Sequence, residues 1–348
     1  MVWSLSYSLS LILGFLISVS SDALLPIWWA MEVSGLVFLG WLFMNASLSE
    51  REDSPLWTYY LVQSLGGLMV LLGLGSPYFL GVDHGDSMST MWESGLPPLS
   101  TLFQLIMSFG VMVKLGVPPF HGWVVRLSDN LPWGKFFGLM VAQKIIPLVF
   151  VSNLCLDSGF SLDWLSVSTI MCAIVSLQGV MESSLRRFMS YSSIMNLGWV
   201  LLSINSSSLS NSFKFFLLYL LLMSLVCQVL KEGQVSSSSQ AIGGRFYQSK
   251  PAGVLTSILV ISLMGMPPLP VFLVKIEILR DSMCQGFELC SISLIMSTII
   301  LILGYIRLVI YSMMISPSPS KGMIFPHFYW VLSAFISTFL SVVWYWLN

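Results

Sequence analysis

Residues 109–121 read FGVMVKLGVPPFH. A single amine, Lys114, stands in a run of apolar residues, four residues before the pair Pro118 and Pro119. Proline lacks a backbone N–H, so a helix through this stretch leaves a carbonyl without its donor one turn back. The rest of the chain decides what surrounds that break. Of 348 residues, 56% are hydrophobic and only 9% charged, whereas a soluble domain carries about 25% charged residues. Mean hydropathy is +0.85. There is too little polar material to cover a globule, which excludes a soluble enzyme. Collagen-like, coiled-coil and disordered chains are excluded by the apolar content and the lack of any such repeat. A net charge of −1 offers no basic patch for nucleic acid. What remains is an all-α, polytopic membrane protein with a helix broken inside the bilayer.

A bilayer core of ~30 Å needs about 20 apolar residues per helix. Such runs fall near 3–20, 23–46, 56–80, 99–127, 133–155, 162–181, 185–204, 212–230, 252–281, 288–315 and 326–347. The expectation is eleven transmembrane helices. The runs are continuous rather than alternating, so a closed barrel is excluded. The first has no basic residue ahead of it and re-enters an apolar run after Ser20 and Ser21, so it reads as a span and not a cleaved signal. With eleven helices, Arg51, Arg126, Lys135, Arg186, Arg187, Lys231, Arg245, Lys250 and Lys321 fall in loops on one side. Only Lys214 and Arg280 fall on the other. The positive side is the inner one, which puts the N-terminus inside and the C-terminus outside. The longest loops, 81–98 and 231–251, are too short to form domains.

Six charges remain within spans: Glu32, Lys114, Lys144, Lys275, Glu277 and Arg307. Each costs about 2.5–3.5 kcal/mol at the bilayer centre, so they must pair or meet water. Lys144 lies ~17 Å into its helix at 1.5 Å per residue, near the midplane and too deep to snorkel. Glu32, in WWAMEVSGLVFLGW, is placed similarly. For Lys275, the neighbouring Glu277 and Arg280 leave open a helix end from which the amine snorkels. Glu277 reads as a boundary charge, and Arg307 as a lipid or inter-helix contact. A lysine whose charge depends on a movable carboxylate is what a proton relay requires.

A second break, GMPPLPVFLVK, ends at Lys275. Breaks of this kind mark ion sites in transporters, because only protein or water can satisfy the freed groups. Lys114 lies in the fourth helix and Lys275 in the ninth, and the next helix in each case carries a midspan cation, Lys144 or Arg307. Five helices separate the pairs, and five is odd. The expected organisation is therefore an inverted repeat: 1–157 as a first five-helix half, 158–316 as a second, and 317–348 as a last helix outside both.

The blocks MEVSGLVFLGW, KLGVPPFHGWVVRL, AQKIIPLVF, SSLRRFMSYSSIMNLGWVLLS and GMPPLPVFLVK together resemble a known family. It is that of subunit 2 of proton-pumping NADH–ubiquinone oxidoreductase, respiratory complex I, in its mitochondrially encoded, antiporter-like form. The resemblance implies a proton-translocating subunit of the membrane arm, in the mitochondrial inner membrane with its N-terminus on the matrix side. By this resemblance Glu32 pairs with Lys114, Lys144 is the central lysine, Lys275 belongs to the second broken helix, and His121 sits just beyond the first break. It implies neighbouring antiporter-like chains and lipids as partners. It implies no cofactor in this chain, with NADH, FMN, Fe–S clusters and ubiquinone handled by other subunits. The sequence agrees that no redox signature is present: Cys155, Cys172, Cys227, Cys284 and Cys290 form no CxxC pair, and GxGxxG is absent. The 21 methionines fit a mitochondrial code with an extra Met codon. One departure is that relatives usually have an acidic residue after the tryptophan and proline where this chain has PFHGWVVRLSDN, so that Arg126 and Asp129 hold that surface. The alternative function is a stand-alone secondary cation/proton antiporter, which the breaks fit equally well. A purely structural scaffold, its charges paired only locally, is a third.

Overall fold

The computed structural model describes residues 2–21, 23–44, 55–75, 97–156, 163–232, 250–267 and 269–314. The expected helix 326–347, the segment 317–348, and most of the loops 81–98 and 231–251 lie outside the described residues. Among the described residues every regular element is a helix. They are α1 (Val2–Ser20), α2 (Leu24–Met44), α3 (Pro55–Leu74), α4 (Pro97–Leu115), α5 (Gly122–Asp129) and α6 (Trp133–Met140). A 3-10 turn (Ala142–Lys144) leads into α7 (Ile145–Leu156), followed by α8 (Asp163–Ser176), α9 (Gln178–Met181), α10 (Leu185–Asn205) and α11 (Leu209–Glu232). The last are α12 (Lys250–Met264), α13 (Pro270–Cys284) and α14 (Glu288–Met314).

Six stretches among the described residues are long and apolar enough to cross a membrane, and three shorter apolar helices accompany them. Helix α10 is in neither group, although the sequence reads as a span there. Its serines lower its hydropathy, yet Phe188 to Asn205 are buried without interruption. The serine hydroxyls turn back on their own helix: Ser192 donates to the Met189 carbonyl and Ser203 to Val200, at 2.8 and 2.7 Å. A hydroxyl satisfied in this way needs no water, so a helix surrounded by protein tolerates it.

Two expected continuous helices are interrupted, 162–181 at Leu177 between α8 and α9 and 133–155 before Ile145. The stretch 133–155 bends through a 3-10 turn immediately before Ile145, where the Lys144 N–H bonds to Val141 at 3.1 Å. Pro147 explains it: its missing N–H leaves the Gln143 carbonyl without a helical donor and crowds the preceding turn. Lys135, read as a loop charge, is instead buried on α6.

The helices form two compact units, Met1–Leu127 with Gly138–Ser168 and Ser128–Phe137 with Thr169–Asn348. In the first, α1 packs on α2, α2 on α3 and α3 on α4, and α7 packs against α1, α2 and α4. In the second, α10 is the hub, lying against α9, α11, α13 and α14. Large apolar side chains point outward, among them Leu5, Leu9, Ile12 and Leu16 of α1 and Ile292, Met296, Ile299 and Leu303 of α14. Exposed apolar stripes on helices with buried serines suit a lipid solvent. This asymmetry gives a test. Phe188, 1% exposed and edge-on to Tyr305 at 4.8 Å, should lose about 3–5 kcal/mol of stability as Phe188→Ala. Leu9→Ala, on the outward face of α1, should stay within about 0.5 kcal/mol. Thermal inactivation of the detergent-solubilised protein would measure both.

Candidate functional site: a buried ion pair at a broken helix

Helix α4 stops one residue after Lys114, and its ending is built by the sequence quoted above. Gly116 takes φ +65°, a conformation that glycine adopts without strain. Its N–H bonds to the Val113 carbonyl at 3.2 Å, and the Val117 N–H reaches Met112 at 3.1 Å. These paired bonds close the helix as a Schellman motif. Pro118 then removes the donor that the Lys114 carbonyl would have met. The amide of Gln63, on α3, supplies one instead at 3.4 Å. The chain turns through Pro118 to His121, whose carbonyl accepts the Val124 N–H at 3.0 Å and starts α5.

The Lys114 ammonium donates to Glu32 Oε1 at 2.6 Å. The side chains are 4% and 25% exposed, so the lysine is sealed while the carboxylate keeps a partial opening. A short, charge-assisted bond of this kind is the arrangement that lets two opposite charges persist away from water. The seat lies on α3. The Trp28 indole, one turn before Glu32 on α2, donates to the Gly67 carbonyl at 3.0 Å. Tyr59, also on α3, is 1% exposed and packs edge-on to Phe38 at 5.4 Å. Lys144 is 3% exposed at the end of the 3-10 turn. That turn is tied to α2 by Gln143, whose amide donates to the Ser34 carbonyl at 3.2 Å. The first unit therefore brings Glu32 and Lys114 into contact and fastens the backbone beside Lys144 to the helix that carries Glu32. It buries the Lys144 amine and places His121 half-exposed at the turn before α5, where its backbone carbonyl accepts the Val124 N–H.

The second break is built alike. Helix α12 ends at Met264, and Gly265 takes φ +79° with its N–H on the Ser262 carbonyl at 3.2 Å. Proline at position 268 removes the helical donor for the Met264 carbonyl. Lys275, from α13, donates its ammonium to that carbonyl at 3.4 Å. The amine also lies 5.4 Å from the centre of the Trp199 ring, a cation–π contact. Lys275 is 7% exposed. It occupies the middle of α13 and not a helix end from which it could snorkel. Glu277 and Lys214 lie 3.9 Å apart and are partly exposed, as a boundary pair would be. Arg307 is an inter-helix contact, donating to the Glu182 carbonyl at 2.6 Å. Asp129 is gripped by Arg187 at 2.7 Å, and its carbonyl accepts from Arg186 at 2.8 Å. The two arginines of the LRR block thus hold the last residue of α5.

Several residues of this site escaped the sequence reading: Gln63, Trp28, Tyr59, Gly66 and Gly67. Each is an ordinary residue for an apolar helix. Only the Gly66–Gly67 doublet inside a span was a signal, as a place of close backbone approach.

A membrane fold that is all-helical among the described residues, with an ion pair at a glycine–proline helix break, fits the antiporter-like class of transmembrane proteins. Residues 21–300 match the family of NADH:quinone oxidoreductase and Mrp antiporter transmembrane proteins, and the chain belongs to that family. Within it the chain is similar to chain 2 proteins of NADH-ubiquinone oxidoreductase. It is 27% identical to NADH-ubiquinone oxidoreductase chain 2 of Locusta migratoria over 305 residues, 86% of this chain and 82% of that one. The identity to the same chain of Mytilus edulis is also 27%, over 319 residues, 90% and 87% of the two. Its fold is similar to a chain of respiratory complex I from Thermus thermophilus, with TM-score 0.75, 18% identity and coverage of 97% and 76%. It is similar also to a chain of the Mrp complex from Dietzia, with TM-score 0.74, 16% identity and coverage of 92% and 62%.

Breaking a buried pair by removing one partner typically costs about 3–5 kcal/mol, because the other charge is stranded. Lys114→Met should therefore lower thermal stability more than Lys114→Met combined with Glu32→Gln, which strands nothing. A double variant no more stable than the single one would show that the pair is not held as described.

Proposed function

We propose that this chain is a proton-translocating, non-redox subunit of the membrane arm of an NADH:ubiquinone oxidoreductase. The observation that carries the proposal is the 2.6 Å bond between Lys114 and Glu32 at the end of a helix broken by Gly116 and Pro118. Membership of the family and similarity to chain 2 proteins support it. In this reading the chain sits in the mitochondrial inner membrane, N-terminus on the matrix side, against other antiporter-like subunits and lipid. Its halves, 1–157 and 158–316, are inverted repeats, and its eleven helices include the last at 326–347. NADH, FMN, Fe–S clusters and ubiquinone are handled by other subunits, whose quinone reduction drives this one.

The chemistry needs only a charge that another charge holds in place. While Glu32 is ionised beside it, Lys114 keeps its proton, because the carboxylate compensates the loss of water. When Glu32 is protonated through its open side, or swings away, that compensation disappears and the ammonium becomes the costly species. Lys114 then releases its proton to the next acceptor, Lys144, whose own charge state is biased in turn. Lys275 is the corresponding amine of the second unit, steadied by the Met264 carbonyl and the Trp199 ring rather than by a carboxylate. His121, at the mouth of the break, is a further relay candidate. Linked occupancy of this kind is a coupling free energy between sites, and it runs in both directions.

The test is Lys144→Met in the assembled complex, reconstituted into vesicles. Proton uptake per quinone reduced should fall below that of the unsubstituted complex. Unchanged uptake with normal assembly would remove Lys144 from the path. Migration on a native gel separates the alternative, because a stand-alone antiporter would run alone or as a homodimer and not within a large hetero-complex.

A further inference from the structure

The ion pair rests on two adjacent glycines of α3. A Cβ added to Gly66 would lie 2.9 Å from Lys114 Cγ and 3.1 Å from the Gly110 carbonyl oxygen. A Cβ added to Gly67 would overlap Glu32 Oε1 and lie 2.8 Å from Cδ and 3.2 Å from Oε2. One glycine therefore seats the stem of the cation and the next seats the anion. The Gly67 carbonyl also receives the Trp28 indole at 3.0 Å, which fixes α2 at the turn before Glu32. Farther along the same seam, a Cβ on Gly73 would strike the Met107 side chain, with no charged group among its nearest atoms. Gly67 and Gly73 thus share a packing role, and only Gly67 touches the pair. The response to a methyl at each differs for a physical reason. At Gly73 the obstacle is the Cβ of Met107, close to a helix backbone, with Cα at 3.2 Å. At Gly67 it is the far end of a flexible side chain, which escapes by changing rotamer.

We infer that Gly67 is a positioning residue for the proton-carrying pair: its missing side chain is what lets the Glu32 carboxylate stay within hydrogen-bond reach of Lys114. A methyl there displaces the carboxylate and leaves α3 packed on α4. The inference rests on the proposed function, and the experiment separates the two. The assembled complex is prepared with Gly67→Ala, Glu32→Asp, both together, Gly73→Ala, and Gly73→Ala with Glu32→Asp. Aspartate draws the carboxylate back by one C–C bond, about 1.5 Å, away from the new methyl. Gly67→Ala should lower proton uptake about tenfold while quinone reduction and assembly persist, and adding Glu32→Asp should restore about threefold or more of the loss, the size of coupling seen between touching residues. Glu32→Asp should bring no recovery to Gly73→Ala. Uptake at the wild-type level in Gly67→Ala, no recovery in its double variant, or equal recovery at Gly73 would each overturn the inference. If Gly67→Ala fails to assemble, assembly of its double variant supports the inference and failure of both overturns it. Glu32→Gln serves as the separate control. Loss of uptake there with none in Gly67→Ala defeats this inference alone, whereas wild-type uptake in Glu32→Gln defeats the proposed function and this inference with it.

Discussion

The bond between Lys114 and Glu32 is the constraint on which the first unit is organised. Two opposite charges lie among apolar helices, and neither survives there without the other. Their meeting requires α2 and α4 to present side chains across α3 at hydrogen-bond distance. That in turn requires α3 to be thin where they pass. Gly66 and Gly67 provide the thinness, Gly110 lets the α4 backbone come close, and Trp28 ties α2 to the same spot. The carboxylate keeps a partial opening beside a sealed ammonium, so the two members of the pair do not share one environment.

The two helix breaks solve a common problem by different means. Each ends with a glycine in the left-handed region, and each uses proline to free a carbonyl. At the first break the freed oxygen belongs to Lys114 itself and is met by the neutral amide of Gln63. The lysine side chain is left available for Glu32. At the second break the freed oxygen belongs to Met264 and is met by the amine of Lys275. Here the charged group repairs the backbone directly, with an aromatic face as its second support. A lysine held by a carbonyl dipole and a ring is bound less strongly than one held by a carboxylate.

The polar residues of α10 carry a further lesson. Hydropathy alone places Leu185–Asn205 outside the evident spans, because serine counts against it. The structure buries this helix more completely than any apolar neighbour of the second unit, with α9, α11, α13 and α14 around it. In a protein whose exterior is apolar, a polar helix is a sign of the interior. The arginines at its start serve the same hub, holding Asp129 and its carbonyl at the end of α5.

Much of this was readable from the residues. Composition excluded a soluble globule, because so few charges leave nothing to present to water, and the continuous apolar runs made the spans helices. The proline pairs located both breaks, because the missing N–H is a property of the residue and not of its setting. The cost of burying charge singled out Glu32, Lys114, Lys144 and Lys275. Other features were decided only by the tertiary structure. Lys275 reads as a possible helix end in one dimension, yet packing against Trp199 and the freed Met264 carbonyl puts it inside. The 3-10 turn before Ile145 divides a run that reads as one helix, and Pro147 was its only signal. Gln63, Tyr59 and the glycine seat became part of the site only when α3 was laid between α2 and α4. A sequence states which groups cannot be left alone in hydrocarbon; which partner each one finds depends on distances between helices, and those are set when the chain packs.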